Sequence, residues 1–161
     1  MGVKRRGSLR NAVSAMKSNP GTYALILRSH SKAKAQIGRW RQLDLKPGYY
    51  IYVGSALGPG GVQARVSRHC RLLKPNRWHI DYLREFVSPL GAWYSHDTKH
   101  LEHRWAQVLH HMKNMSSIEG FGCSDCKCYS HLFQSPTTPD LAEFSGVTGG
   151  KVESWRYRSA D

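Results

Sequence analysis

The sequence predicts one α/β domain of the α+β kind, and three observations predict it. Short apolar runs of β-type composition occupy Tyr23–Leu27 and Tyr49–Val53, where alternate residues face opposite sides of a sheet. The run Gly58-Pro59-Gly60-Gly61 then ends the strand pattern, and Val62, Val66 and Cys70 recur at helical spacing. A longer stripe of Leu101, Trp105, Val108, Leu109 and Met112 repeats that spacing further on. At 161 residues the chain suits a single domain and is long enough to bury a real core.

In chain order, residues 1–20 are polar and basic without clear periodicity. They read as a flexible N-terminal arm with one marginal helical stretch from Leu9 to Met16. Tyr23–Leu27 is the first strand and the more polar Gln36–Leu45 the second, joined by a connection rich in Ser and Lys. Pro47-Gly48 offers the fixed φ and the positive φ of a type II turn, so a hairpin is expected to lead into a third strand at Tyr49–Val53. Alternation there puts Tyr50, Tyr52 and Gly54 on one face and Tyr49, Ile51 and Val53 on the other, while Tyr23 shares its face with Leu25 and Leu27.

A helix from about Val62 to Cys70 follows. A shorter one at Trp78–Phe86 has Ile80, Leu83 and Val87 as its apolar contacts. Ala92-Trp93-Tyr94 reads as an added strand, and Thr98–Lys113 is the strongest helix, its far side basic and rich in histidine. Beyond Gly120 the pattern is loop-like, with a Gly-rich tail in which Val152–Tyr157 can pair. The expected organisation is an arm at 1–20, a domain at 21–133 and an extension at 134–161, packed on the domain or loosely attached to it.

The formal net charge is +13, from 24 Lys+Arg against 11 Asp+Glu, which points to a polyanionic partner more readily than to a small neutral ligand. Nucleic acid leads and an anionic membrane surface trails. No acid precedes Asp44, whereas ten basic residues do. Lys4, Arg5, Arg6, Arg39 and Arg41, with Arg68, are the candidate nucleic-acid contacts. The plain alternative is a surface charged for solubility. The longest apolar runs are far below the ~20 residues needed to cross a bilayer, and Arg5-Arg6 is not followed by the apolar core of an export signal. A cytoplasmic protein with no membrane span is expected. Four cysteines in a chain of this length read as reduced thiols rather than a disulfide scaffold.

Arg65 and His69 are four apart on the 62–70 helix and so share a face, each preceding a member of the apolar stripe. An Arg there offers a multi-donor fork to a phosphate, and a His of ordinary pKa can exchange protons near neutrality. Glu102 is the only acid in its helix and borders the buried stripe. One carboxylate plus waters and a phosphate oxygen is a normal shell for Mg²⁺. The alternatives are a surface Arg–His pair, a solvated Glu beside Lys99 and His103, and tyrosines used for packing. Cys123, Cys126, Cys128 and His131 hold enough thiolate and imidazole for tetrahedral Zn²⁺ in the spacing C-x-x-C-x-C-x-x-H; equally, these cysteines can brace a loop, and Asp125 can assist a nearby site.

Gly21-Thr22-Tyr23, Tyr52-Val53-Gly54, the turn and helix from Gly54-Ser55-Ala56 to Arg65, and Leu101-Glu102 together resemble the GIY-YIG endonuclease superfamily. Trp78-His79-Ile80-Asp81-Tyr82 and Gly120-Phe121-Gly122-Cys123-Ser124-Asp125-Cys126 are similar to segments of its small stand-alone Uri-type branch. The likeness runs from Gly21 to about Phe133, with Thr and Val in place of Ile at the middle of the two name motifs. It implies a GIY-YIG-like, three-stranded antiparallel sheet flanked by helices. It also implies one Mg²⁺ (or Mn²⁺) on Glu102 and hydrolysis of nucleic-acid phosphodiesters, DNA ahead of RNA. Tyr23 and Tyr52 would position or activate the attacking water, His69 would relay a proton and Arg65 would stabilise phosphoryl charge. A late Asn is often added in that superfamily, and Asn114 is the candidate by position. The rival expectation is a basic nucleic-acid-binding module without catalysis, with or without a structural zinc.

Overall fold

The computed structural model describes residues 16–124 and 126–158. In chain order these form β1 (Gly21–Ser29), β2 (Ala33–Ile37), β3 (Arg41–Leu45), β4 (Gly48–Ala56), α1 (Gly61–Cys70), α2 (His79–Leu83), β5 (Ser88–Ser95), α3 (Glu102–His111), β6 (Ser116–Ser117), β7 (Leu132–Ser135), α4 (Leu141–Thr148) and β8 (Glu153–Arg156). Lys4, Arg5, Arg6, most of the expected 9–16 helical stretch and Asp125 lie outside the described residues.

The architecture is mixed α/β on an antiparallel sheet, as the sequence implies, but the expected three strands are corrected to six. β1 lies between β4 and β5, and the full order is β6-β7-β4-β1-β5-β8. The three long strands carry the apolar runs that the sequence displays. β6, β7 and β8 are two to four residues long, too short to show a period of two. They extend the sheet because the outer edges of β4 and β5 carry unpaired N–H and C=O groups, which short segments can satisfy.

A second correction concerns Gln36–Leu45, which is not one strand. It belongs to a separate two-stranded hairpin, β2 with β3, whose turn is closed by the Trp40 N–H donating to the Ile37 carbonyl at 2.9 Å. Ala35 and Ile37 on one arm, and Leu43 and Leu45 on the other, are buried at alternate positions, so folding back lets both arms cover the same core. Pro47-Gly48 therefore joins two sheets instead of closing a hairpin: β3 pairs with β2, and β4 with β1.

Each face of the main sheet has its own core. Tyr23, Leu25, Leu27 and Tyr50 meet Val62 and Val66 of α1, Ile80 and Leu83 of α2, and the β2–β3 hairpin. Ala24, Ile26, Ile51, Val53 and Trp93 meet Trp105, Ala106, Val108 and Leu109 of α3, and Phe144 of α4. Each such aliphatic or aromatic side chain contributes about 1.5–3 kcal/mol on full burial.

Two details position the site. Met16 is fully buried in the first core, and the carbonyls of Asn19 and Lys17 accept from the N–H groups of Val62 (3.1 Å) and Gln63 (3.3 Å). The end of the basic arm thus caps α1 with backbone oxygens. α3 begins at Glu102 rather than Thr98 because Asp97 accepts from the Lys99 N–H at 2.9 Å, a local turn that competes with helix. Among the described residues no helix is long and apolar enough to cross a membrane.

Candidate active site and metal-ligand cluster

Tyr23 on β1 lies directly across from Gly54 on β4. A Cβ at Gly54 would fall within the Tyr23 ring, and one at Gly21 would strike the Ser95 carbonyl, so both positions exclude any side chain. The tyrosine packs over the bare backbone and turns its hydroxyl toward α1, where it meets His69 Nε2 at 2.7 Å. Tyr52 completes the group, its ring 6.4 Å from Tyr23 and 5.8 Å from His69, centroid to centroid. Arg65 is close enough for its charge to act on the Tyr23 phenol, and its guanidinium lies 4.7 Å from the centre of the Trp78 ring. Glu102, from the first turn of α3, is close enough for its charge to act on both phenols. The fold thus brings together Tyr23, Tyr52, Arg65, His69 and Glu102, the five expected catalytic candidates.

The C-terminal turn of α1 is held from below. Buried Arg84 donates from Nε to the His69 carbonyl (2.9 Å), from one terminal nitrogen to Val87 (2.6 Å) and from the other to Cys70 (3.2 Å). These bonds satisfy helix-end carbonyls and set where His69 points.

Burial dominates the electrostatics. It pushes both phenols well above the ordinary tyrosine value, with Tyr52 adding to the effect on Tyr23, Glu102 adding on both, and Arg65 opposing it. Burial likewise draws His69 down to about 3, so the ring is neutral at pH 7, and its buried Nδ1 has no hydrogen-bond partner among the described residues. At rest the site therefore holds two protonated phenols, a neutral imidazole and a fixed guanidinium.

The basic candidates separate. Arg39 and Arg41 are exposed on the β2–β3 hairpin around Trp40, with the Arg41 guanidinium 4.4 Å from the Trp40 ring centre. Trp40 stacks on His79 at 4.7 Å and meets Phe121, which in turn packs against Tyr52 at 6.1 Å. That hairpin flanks the phenol pair. Arg68 is engaged otherwise: its fork binds both oxygens of buried Asp81 (2.7 and 3.0 Å) and the Pro75 carbonyl (3.1 Å). Asp81 also accepts from the Arg77 and Trp78 N–H groups, so this ion pair braces the start of α2. Asn114 is exposed in the turn after α3 at φ 66°, a left-handed position that Asn tolerates.

Beside Glu102 lies a second set of donors. Single ligand atoms of His103, Cys126, Cys128 and His131 all lie within 4.8 Å of one another. This set shares Cys126, Cys128 and His131 with the contiguous one read from the sequence and adds His103 of α3; Cys123 donates its thiol to the Phe121 carbonyl at 3.4 Å and lies close enough to Cys126 and Cys128 for their charges to act on it. His103 had a signal in its place next to Glu102 on the first helical turn, but nothing local ties it to cysteines more than twenty residues away. Glu102 Oε1 stands 3.8 Å from both His103 Nε2 and His131 Nδ1 and so links the two sets.

A family model described as "Domain of unknown function DUF123" matches residues 22–149. No curated protein and no solved structure shows a significant match.

Proposed function

We propose that the chain, which belongs to the DUF123 family, is a metal-dependent endonuclease hydrolysing nucleic-acid phosphodiester bonds, with DNA ahead of RNA as substrate. One observation carries this reading: two phenols, a guanidinium, an imidazole and a lone carboxylate, drawn from β1, β4, α1 and α3, converge in one place. Packing alone does not require a cation near two buried phenols. In-line attack on a phosphodiester does require a held nucleophile and positive charge at the phosphoryl oxygens.

The residues fit a hard divalent ion such as Mg²⁺ or Mn²⁺, since Glu102 is partly exposed and offers oxygen. Such an ion would neutralise charge on the scissile phosphate and ease loss of a proton from nearby oxygens. Tyr23, anchored by His69, and Tyr52 beside it would hold the attacking water. Arg65 is placed to bind a non-bridging phosphate oxygen. Arg39 and Arg41 would grip flanking phosphates from the hairpin.

The rival reading, a binding module without catalysis, is favoured by the protonated phenols and the neutral His69. None of these accepts a proton readily at pH 7; a bound cation would ease loss of a proton from the phenols and make His69 less basic still.

The test incubates the purified protein with single-stranded, duplex and branched DNA and with RNA, in Mg²⁺ or Mn²⁺. Wild type should cut at least one of them, Glu102→Ala should abolish cutting with binding retained, and Arg65→Ala should slow it by about 10²–10³. Tyr52→Phe should also cut more slowly. Binding without cutting on every substrate would establish the rival, and cutting that survives Glu102→Ala would overturn the metal assignment.

A further inference from the structure

We propose that His103, Cys126, Cys128 and His131 form a closed tetrahedral zinc site that fastens the segment between β6 and β7 to α3, and so sets the helical turn carrying Glu102. Only the consequence for Glu102 rests on the nuclease reading; the zinc site stands on its own geometry.

The donors are already gathered. Cys126 Sγ and His131 Nε2 are 3.1 Å apart, and all four ligand atoms fall within 4.8 Å. Ligand atoms of a zinc tetrahedron stand about 3.3–3.8 Å apart, given Zn–N near 2.0 Å and Zn–S near 2.3 Å, so side-chain shifts of roughly 1 Å would close the shell. Thiolate and imidazole are donors for zinc, whereas Mg²⁺ takes oxygen. The two sites next to each other would therefore select different ions.

The orientation of His131 is the second observation. Its Nδ1 faces the Val53 carbonyl at 3.3 Å and Glu102 Oε1 at 3.8 Å, both acceptors. Nδ1 therefore carries the proton, leaving the Nε2 lone pair directed at Cys126. A carbonyl or carboxylate behind a ligating imidazole is the arrangement that fixes its tautomer and raises its donor strength. Here those acceptors are Val53, one residue past Tyr52, and Glu102 itself.

The third is topological. The described residues between Ile118 and His131 form neither helix nor strand, yet Phe121 is fully buried against Tyr52. His103 lies on another element, so an ion held by all four would join α3, this segment and, through Val53, the end of β4. Four protein donors leave no open position, which marks the ion as structural rather than catalytic.

The experiment measures metal content in protein purified without chelator, then follows cobalt substitution by absorption. Wild type should carry about one zinc per chain. Cys128→Ser and His103→Ala should lose it, whereas Cys123→Ser and the alternative-ligand variant His103→Cys should keep it. Cobalt-loaded wild type should show tetrahedral d–d bands with a sulfur-to-cobalt band of two-thiolate intensity, unchanged in Cys123→Ser; this reading holds even if Cys128→Ser does not fold. Wild type without zinc, a three-thiolate spectrum, or zinc lost from Cys123→Ser but kept by His103→Ala would each overturn the site. Zinc binding by a protein that cuts nothing would sustain the site while defeating the nuclease reading. Full cutting by zinc-free protein would overturn the coupling to Glu102.

Discussion

A methyl group added at Gly54 would land in the ring of Tyr23, so these two residues act as one unit: the bare backbone of β4 makes the floor on which the phenol lies. Gly54→Ala should displace Tyr23 and cost about 1–3 kcal/mol in overpacking, read by denaturant unfolding, with a matching fall in any cutting. His69 makes a prediction about pH. An unfolded histidine takes up a proton near pH 6.5, whereas folded His69 does so only near 3. Between those values the unfolded chain holds the extra proton, so acid favours unfolding, and the stabilising contribution is complete only above about pH 6.5. Wild type should therefore lose more stability than His69→Gln between pH 7 and pH 4, in parallel chemical unfolding curves; equal losses would contradict the buried neutral ring. At this scale the faces of Tyr23, Tyr52, Arg65, His69 and Glu102 were legible from strand and helix period, whereas their selection as a set rested on the motif resemblance. His103 was not, since its partners approach only in three dimensions.

Helices and strands were legible where apolar spacing runs for more than two turns or alternates for five residues, as in α1, α3, β1 and β4. The short pieces were not. β7 and α4 lie where composition suggests loop, and α4 exists because Phe144 plugs the second core, its ring 5.1 Å from both Trp93 and Trp105. Asp140 caps that helix by accepting from the Glu143 N–H at 3.2 Å, a signal visible in sequence but weak without the aromatic anchor. Phe144→Ala should cost about 3–5 kcal/mol and release the C-terminal segment, measured by equilibrium unfolding together with protease accessibility beyond residue 140. A tight, protease-resistant C-terminus in that variant would show that β8 pairing with β5 holds the segment without the ring.

Over the whole molecule, positive charge is the property most visible in the sequence, and the fold decides which of it is available. Arg68 is spent on Asp81, whereas Arg39 and Arg41 stand exposed on a hairpin beside the phenol pair. If nucleic acid lies along that side, replacing Arg39 and Arg41 together by Ala should weaken binding across sequences and lower the slope of log affinity against log salt by about one per lost phosphate contact. An unchanged slope in a salt titration would place the interface elsewhere. Taken alone, the order of residues determined the mixed α/β class, the faces of the long strands and helices and the excess of positive charge, because side-chain direction and charge follow from local period and composition. Only tertiary structure decided that the sheet has six strands, that residues 33–45 fold back as a hairpin, and that His103 lies with Cys126, Cys128 and His131. Those outcomes depend on which surfaces meet across the core, and no local period carries that information.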